Sequence, residues 1–340
     1  MTWISDRAID RLRLAAESPD LSTTRYRLAE RIGPIGRGGM GLVFLAEDQT
    51  LGRRVALKVL DLPDDAGDLA ARLLREARVL AQLEHPGIVP VHDAGTLPDG
   101  RVFYAMKYVE GSRLDEYARK LESPADRLRI FLRICDAVAF AHSRGVLHRD
   151  LKPENVMVGP FGEVLVMDWG VAKIMQEPPA DSLSGGATSR HDAVAGRPPE
   201  DANPAPLATG SSTAAGTVVG TPGYMSPEQA RGETATVDQR SDVYGLGMIL
   251  RFLLDHGSRP AAPLAAIVAK ATQAHPAQRY SSAGDLAADV TRYLNGLPPE
   301  AYPDNFLRQA GRFLARHQTV VLLLLAYMLV RAVLILFSRR

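Results

Sequence analysis

The sequence predicts an α+β chain: a small sheet domain leading into a larger, mainly helical one, then a C-terminal helix long enough to cross a bilayer. Three observations predict it. Short apolar runs separated by glycine or charged turns extend from Tyr26 to about Val109, helical spacing dominates from Ser112 onward, and Thr319 to Phe337 is an almost unbroken apolar run. With 340 residues there is ample material for two packed lobes.

The N-terminal stretch "MTWISDRAIDRLRLAAESPD" is too polar for a secretory signal and has the apolar spacing of a short amphipathic helix, so residues 1–25 are expected to be an extension and the chemistry cytoplasmic. Strands follow in "YRLAERIG", "GLVFLAED", "RRVALKVLDL" and "RVFYAMKYV". One helix interrupts them: Leu69, Leu73, Ala77, Leu80 and Leu83 recur at spacings of three and four, predicting a helix from about Asp68 to Glu84. Past Ser112 the only strands expected are around Val156–Val158 and Val164–Met167. The only cysteine, Cys135, sits on the apolar side of the helical pattern "RIFLRICDAVAFAHSRG", which makes it a core residue and leaves no disulfide or cysteine-based metal site.

Residues 177–217 are rich in alanine, proline, glycine, serine and threonine and contain no aromatic residue. They bury too little surface to offset the entropy of ordering, so disorder is expected, and for most of this insertion the bland reading is inert sequence. The apolar run 319–337 spans roughly 28 Å as a helix, about the thickness of a hydrocarbon core. A central arginine costs about 2.5–3.5 kcal/mol, but Arg331 lies near the C-terminal end and can snorkel to that interface. Arg308, Arg312 and Arg316, four apart, form a basic stripe in the juxtamembrane segment 298–318 that suits a cytoplasmic membrane face. The expectation is a single pass through the cytoplasmic (inner) membrane with the lipid bilayer as a partner and no domain beyond it; a buried or oligomerising helix is the alternative. Lysine plus arginine number 40 against 39 acidic residues, so a formal charge of +1 gives no electrostatic case for nucleic acid.

Gly36, Gly38 and Gly41 in "IGRGGMGLV" have G-x-G-x-x-G spacing, which lets backbone N–H groups approach phosphate oxygens. Alone the string is weak. A dinucleotide fold requires a helix directly after it, whereas "LVFLAED" reads as a strand, pointing to a hairpin lid. Lys58 in "VALKVL" is costly in an apolar strand unless paired, and Glu76 in "LLREARVL" is a candidate partner; a lysine so held grips nucleotide phosphates. "HRDLKPENVMV", residues 148–158, crowds polar residues against an apolar strand, as a loop facing a cleft and anchored from behind requires.

That octet resembles the catalytic loop of the bacterial eukaryotic-like serine/threonine protein kinases, a resemblance that covers about residues 26–297 with several separated motifs in the family's order. It implies a bilobal protein-kinase fold, with an antiparallel sheet and one helix in the small lobe and mostly helices in the large one. It implies Asp150 as the residue that accepts or orients the proton of the substrate hydroxyl, Lys152 on the transferring phosphoryl group, and Asn155 and Asp168 as magnesium ligands. Arg149 resembles the arginine that pairs with a phosphorylated activation-loop residue, for which Thr213 and Thr217 are candidates. The resemblance further implies a nucleotide pocket of Ile35, Gly36, Gly38, Gly41, Val43, Ala56 and Lys58, guarded by Met106, with backbone groups of Lys107 to Val109 presented to adenine. Thr221 in "GTPGYMSPEQA" falls in the substrate-facing loop, Glu228 and the late Arg279 match a conserved ion pair of the family, and Asp242 matches the residue that braces the catalytic loop.

The expected function is transfer of the ATP γ-phosphoryl group, with Mg2+ or in its place Mn2+, to serine or threonine hydroxyls of proteins, with autophosphorylation between neighbouring chains in a transient homodimer. Three features depart from the family: tryptophan replaces phenylalanine at position 169, the segment between Asp168 and Glu228 is long, and "SRPAAPLAAIVAKA" leaves no room for a helix that commonly forms a docking platform. They motivate the alternative of a catalytically weak pseudokinase scaffold at the membrane. A small-molecule phosphotransferase fits poorly with "GTPGYMSPEQA".

Overall fold

The structure is a computed structural model that describes residues 18–29, 34–38, 41–60, 71, 74, 77–169, 223–233, 237–255, 260–303, 327, 328 and 331. Its first sheet grows from hairpins. The strands β1 (Tyr26–Leu28), β2 (Gly36–Gly38), β3 (Gly41–Asp48), β4 (Arg53–Leu60), β5 (Val91–Thr96) and β6 (Val102–Lys107) pair antiparallel in the order β1-β3-β4-β6-β5, with β2 also on β3. Alternate residues of β4 go to opposite sides: Val55, Leu57 and Val59 join one apolar cluster, Ala56 and Leu60 another. Lys58 shares the face of Ala56 and Leu60, because successive side chains of a strand alternate.

Gly41 shows why the hairpin needs glycine. It pairs with Leu60 at φ 151°, and a Cβ there would stand 2.0 Å from the Val59 carbonyl oxygen. Since that obstacle is backbone, Gly41→Ala is expected to destabilise the fold by about 2–3 kcal/mol. A melting temperature equal to the unsubstituted chain would refute this.

β5 is absent from the runs the sequence suggests. Its residues "VHDAGT" are polar and none is fully buried, and the strand forms because β6 offers it an antiparallel partner from Thr96↔Val102 to Val91↔Met106. The interrupting helix, α1, is helical at 71, 74 and 77–81, so it stops short of Glu84. Tight turns end it, with Gln82 N–H donating to Val79 O (3.1 Å) and Leu83 N–H to Leu80 O (3.0 Å).

The larger lobe is built on α2 (Leu114–Tyr117), α3 (Pro124–Ser143), α4 (Pro227–Ala230), α5 (Gln239–Leu254), α6 (Ala262–Ala271) and α7 (Ala283–Leu294). Ser123 caps α3 by accepting from Asp126 N–H, and Pro124 opens it where a missing N–H costs nothing. Leu128, Phe131, Ile134, Cys135, Val138 and Ala141 form its buried stripe and meet Leu246, Ile249 and Leu253 of α5 in one core. Fully burying such a side chain contributes about 1.5–3 kcal/mol. Close approach at Gly245, where a Cβ would lie 2.9 Å from Leu151 Cβ, brings α5 against the loop after α3.

A second sheet of β7 (Ser112–Arg113), β8 (Val156–Val158) and β9 (Val164–Val166) joins the lobes. Val166 N–H donates to Gly87 O (2.8 Å) and Val89 N–H to Val166 O (3.2 Å), tying the loop after α1 to β9. Packing runs past the expected limits of 26 and 297. Leu21 sits against the small-lobe cluster, and Asp289 in α7 accepts from Ala301 N–H at 3.0 Å and from Glu300 N–H. Only residues 255–261 separate α5 from α6, too few for a further loop and helix. Among the described residues no helix is long and apolar enough to cross a membrane; of 319–337, only Tyr327, Met328 and Arg331 are described, all helical and exposed.

Candidate active site

The polar loop 148–155 connects α3 to β8 and is held from below by one carboxylate. Asp242, 2% exposed on α5, accepts from His148 N–H (Oδ2, 2.8 Å), Arg149 N–H (Oδ1, 2.7 Å) and His142 Nε2 (2.8 Å). Burial pushes Asp242 up, but the hydrogen bonds from the His142 ring and the His148 amide outweigh it and hold the carboxyl below the usual range. Two consecutive amides reach one carboxylate only through a bend, and Arg149 accordingly has φ 66°. Such a conformation costs a non-glycine residue about 1–3 kcal/mol and is kept because both amides are satisfied.

His148 is fully buried, and burial holds its imidazole below the ordinary range. A neutral ring beside a carbonyl must carry its proton there, so Nε2–H donates to Met167 O (2.8 Å) and Nδ1 accepts from Asp150 N–H (3.3 Å). The histidine thus links the loop to the strand end before Asp168. Pro153 opens a 3-10 turn, Pro153–Asn155, that folds Asn155 back onto Asp150. Asn155 Nδ2 donates to Asp150 O (2.8 Å) and Oδ2 (3.0 Å), and Lys152 Nζ lies 2.9 Å from the same Oδ2. Both donors engage one oxygen, and the Asp150 side chain keeps 33% of its surface exposed.

Across the cleft, Lys58 Nζ donates to Asp168 Oδ1 at 2.6 Å. Burial pushes Asp168 up, but the ammonium outweighs it and holds the carboxyl below its usual range. Desolvation pulls Lys58 down, yet its interactions with Tyr104 and Asp168 leave it raised and charged. Asp168 has φ 56°, the second strained non-glycine residue of the site. Trp169 behind it is 4% exposed, donates Nε1–H to Val166 O (3.1 Å) and lies 4.8 Å from the His148 ring.

The donor set suits a hard cation. Asp168 pairs with Lys58 through Oδ1, and Asn155 points its amide nitrogen at Asp150, which directs its oxygen away from it. Among the described residues no group of three or more His, Cys, Asp or Glu could hold a metal. One carboxylate and one amide oxygen match magnesium, which takes few protein ligands and the rest from water and phosphates.

The glycine hairpin lies beside Lys58 in the sheet: Gly36 pairs with Val43, which in turn pairs with Lys58, Gly38 pairs with Gly41, and Ile35 N–H donates to Val43 O (2.7 Å), while the Ile35 side chain is 51% exposed. Ala56 and Met106 are buried cross-strand partners on β4 and β6, and Val109 is buried in the same cluster. Lys107 N–H is spent on Pro90 O (3.1 Å), so of the backbone groups expected to face adenine this one is committed elsewhere.

On the far side of the loop, Arg279 clasps Glu228 with Nη1 to Oε1 (2.7 Å) and Nη2 to Oε2 (2.8 Å), and Ser241 Oγ donates to Oε1 (2.6 Å). Glu76, Gly170, Thr213, Thr217 and Thr221 lie outside the described residues. Two anchoring residues escape sequence reasoning. His142 has no pattern to mark it. Gln229 had a signal, the S-x-x-Q spacing of a capping box, and it both accepts from Ser226 N–H (3.3 Å) and donates to Arg149 O (3.0 Å).

Residues 29–263 match the sequence profile described as "Protein kinase domain". The chain is 35% identical to serine/threonine-protein kinase PknD of Protochlamydia amoebophila over 78% of its own length and 30% of that protein. It is 36% identical to PknD of Chlamydia caviae over 78% and 31% respectively. The chain therefore spans about 30% of the length of the curated relatives it matches. The PknI kinase domain of Mycobacterium tuberculosis superposes with a TM-score of 0.54 at 24% identity, covering 79% of this chain and 96% of that one, a likeness of fold.

Proposed function

The chain belongs to the protein kinase family, and from that premise we propose that it transfers the γ-phosphoryl group of ATP to serine and threonine hydroxyls of proteins. The observation that carries the proposal is the pinned carboxylate of Asp150, fixed through Oδ2 by Lys152 and Asn155 and still open to solvent. A carboxylate so placed orients an acceptor hydroxyl and takes its proton, while Lys152 sets positive charge beside the reacting oxygen. Lys58 binds phosphate oxygens from the opposite wall, and Asp168 and Asn155 would hold magnesium, which supplies charge neutralisation on the phosphates. Positioning and charge do most of the work, because phosphoryl transfer needs little covalent help. In the test, full chain is incubated with γ-labelled ATP and magnesium, and label is sought on itself and on a basic acceptor protein. Acid-stable label on serine and threonine is expected; ADP binding without label would leave the scaffold reading in its place.

We further assign the run 319–337 to the inner membrane, with the kinase domain and the stripe Arg308, Arg312 and Arg316 on the cytoplasmic side. The support is the apolar length and the arginine spacing. Flotation of the full chain with anionic liposomes, resistant to carbonate and lost on truncation at 318, is the expected result; carbonate-extractable binding would count against a span. Thr213 and Thr217 are assigned as autophosphorylation sites acting through Arg149, with transfer between two transiently associated chains.

A further inference from the structure

Lys58 and Tyr104 are direct cross-strand partners in the β4–β6 pair, so their side chains leave the sheet on one face. Lys58 Nζ lies 5.8 Å from the Tyr104 ring centroid, within cation–π range, and the tyrosine raises the proton affinity of the ammonium. Tyr104 is 5% exposed and walls a cavity of about 20 Å³, room for a single water, together with Val91, Met106, Asp168 and Trp169. A buried hydroxyl in apolar surroundings favours a polar neighbour, and Lys58, directly opposite across the strand pair, is the cation beside it. Burial pushes the phenol up to about 12, so at neutral pH it offers a lone pair and no charge.

Asp168 is asked to do two things in the kinase reading: it pairs with Lys58 and it supplies an oxygen to magnesium. A carboxylate turned to a metal loosens its hold on the lysine. Tyr104 is fixed in a central strand and its hold does not depend on nucleotide.

Resting on that reading, we propose that Tyr104 is a positioning residue that holds the Lys58 ammonium from behind and aims it at the nucleotide phosphates. Its effect therefore belongs to ligands that carry phosphate and not to the nucleoside. The test compares the full chain with Tyr104→Phe, which keeps the ring and removes one hydroxyl, by calorimetry with adenosine and with magnesium ADP. The affinity for ADP is expected to fall about tenfold, the scale of one hydrogen bond to a charged group, with adenosine affinity within about twofold. KM for ATP should rise about tenfold with kcat within about threefold. Tyr104→Met, which loses the ring as well, should show the same selective loss. ADP affinity unchanged in Tyr104→Phe, or adenosine and ADP weakened alike, would overturn the assignment. An unsubstituted chain that binds no ADP would remove the kinase reading and this proposal with it.

Discussion

Asp150→Asn is expected to lower phosphoryl transfer at least about a thousandfold while leaving the fold and the affinity for ADP nearly unchanged. The substitution is almost isosteric, and its amide oxygen can still accept from Asn155 Nδ2 and Lys152 Nζ, which now meet Oδ2 at 3.0 and 2.9 Å. What disappears is the negative charge and the proton-accepting capacity at the one position the loop is folded to hold. Because Asp242 anchors the loop through His148 and Arg149 amides and not through the Asp150 side chain, the loop has no reason to move. Initial rates of label transfer, with melting temperature and ADP affinity as controls, decide the matter. A residual rate above about a tenth would mean that Asp150 does not carry the proton step.

Arg279→Met is expected to cost about 3–5 kcal/mol, the range for removing one member of a buried ion pair. Glu228 is 1% exposed, and without Arg279 its second oxygen loses the bond that Nη2 now makes at 2.8 Å. For a domain of this size the melting temperature should fall by about 10 °C. The double variant Glu228→Gln with Arg279→Met should recover part of the loss, since it leaves no unpaired charge inside; no recovery would mean the cost lies in packing. Acid provides an independent reading. Burial pushes Glu228 up, but Arg279 and Ser241 prevail and take it from its ordinary 4.5 down to about 2. A depressed carboxyl contributes stability that is present above about pH 4.5 and fades as pH falls toward 2. In Arg279→Met, acid unfolding should therefore lose steepness through that window, as pH-dependent denaturant melts would show.

The parts of the site legible in the sequence are those whose contacts are local. Asp150, Lys152 and Asn155 bond within six residues, so the octet carries its own geometry. The glycine hairpin is likewise written in its own spacing, with Gly41 excluded from any other residue by a neighbouring carbonyl. Lys58 is different: cost alone says that it needs a partner, but the partner seen, Asp168, is 110 residues away and no periodicity points to it. Tyr104 looks like one more apolar strand residue until the β4–β6 register sets it opposite Lys58. β5 is missed for the same reason, because a polar strand at a sheet edge is made by its neighbour's unpaired backbone and not by its own residues. His142 and Gln229 serve the loop from α3 and α4, and only the packed lobe brings them to it.

The carbonyl oxygen of Val166 accepts from two directions, the Val89 amide of the small lobe and the Trp169 indole beside Asp168. One atom thus fastens both the small lobe and the segment that carries Asp168. Asp168 is two residues along the chain from that atom, no more than roughly 7 Å. The position of Asp168 is therefore set by the seam between the lobes as much as by its own strand, and a change at Val89 or Trp169 is felt at that carboxylate.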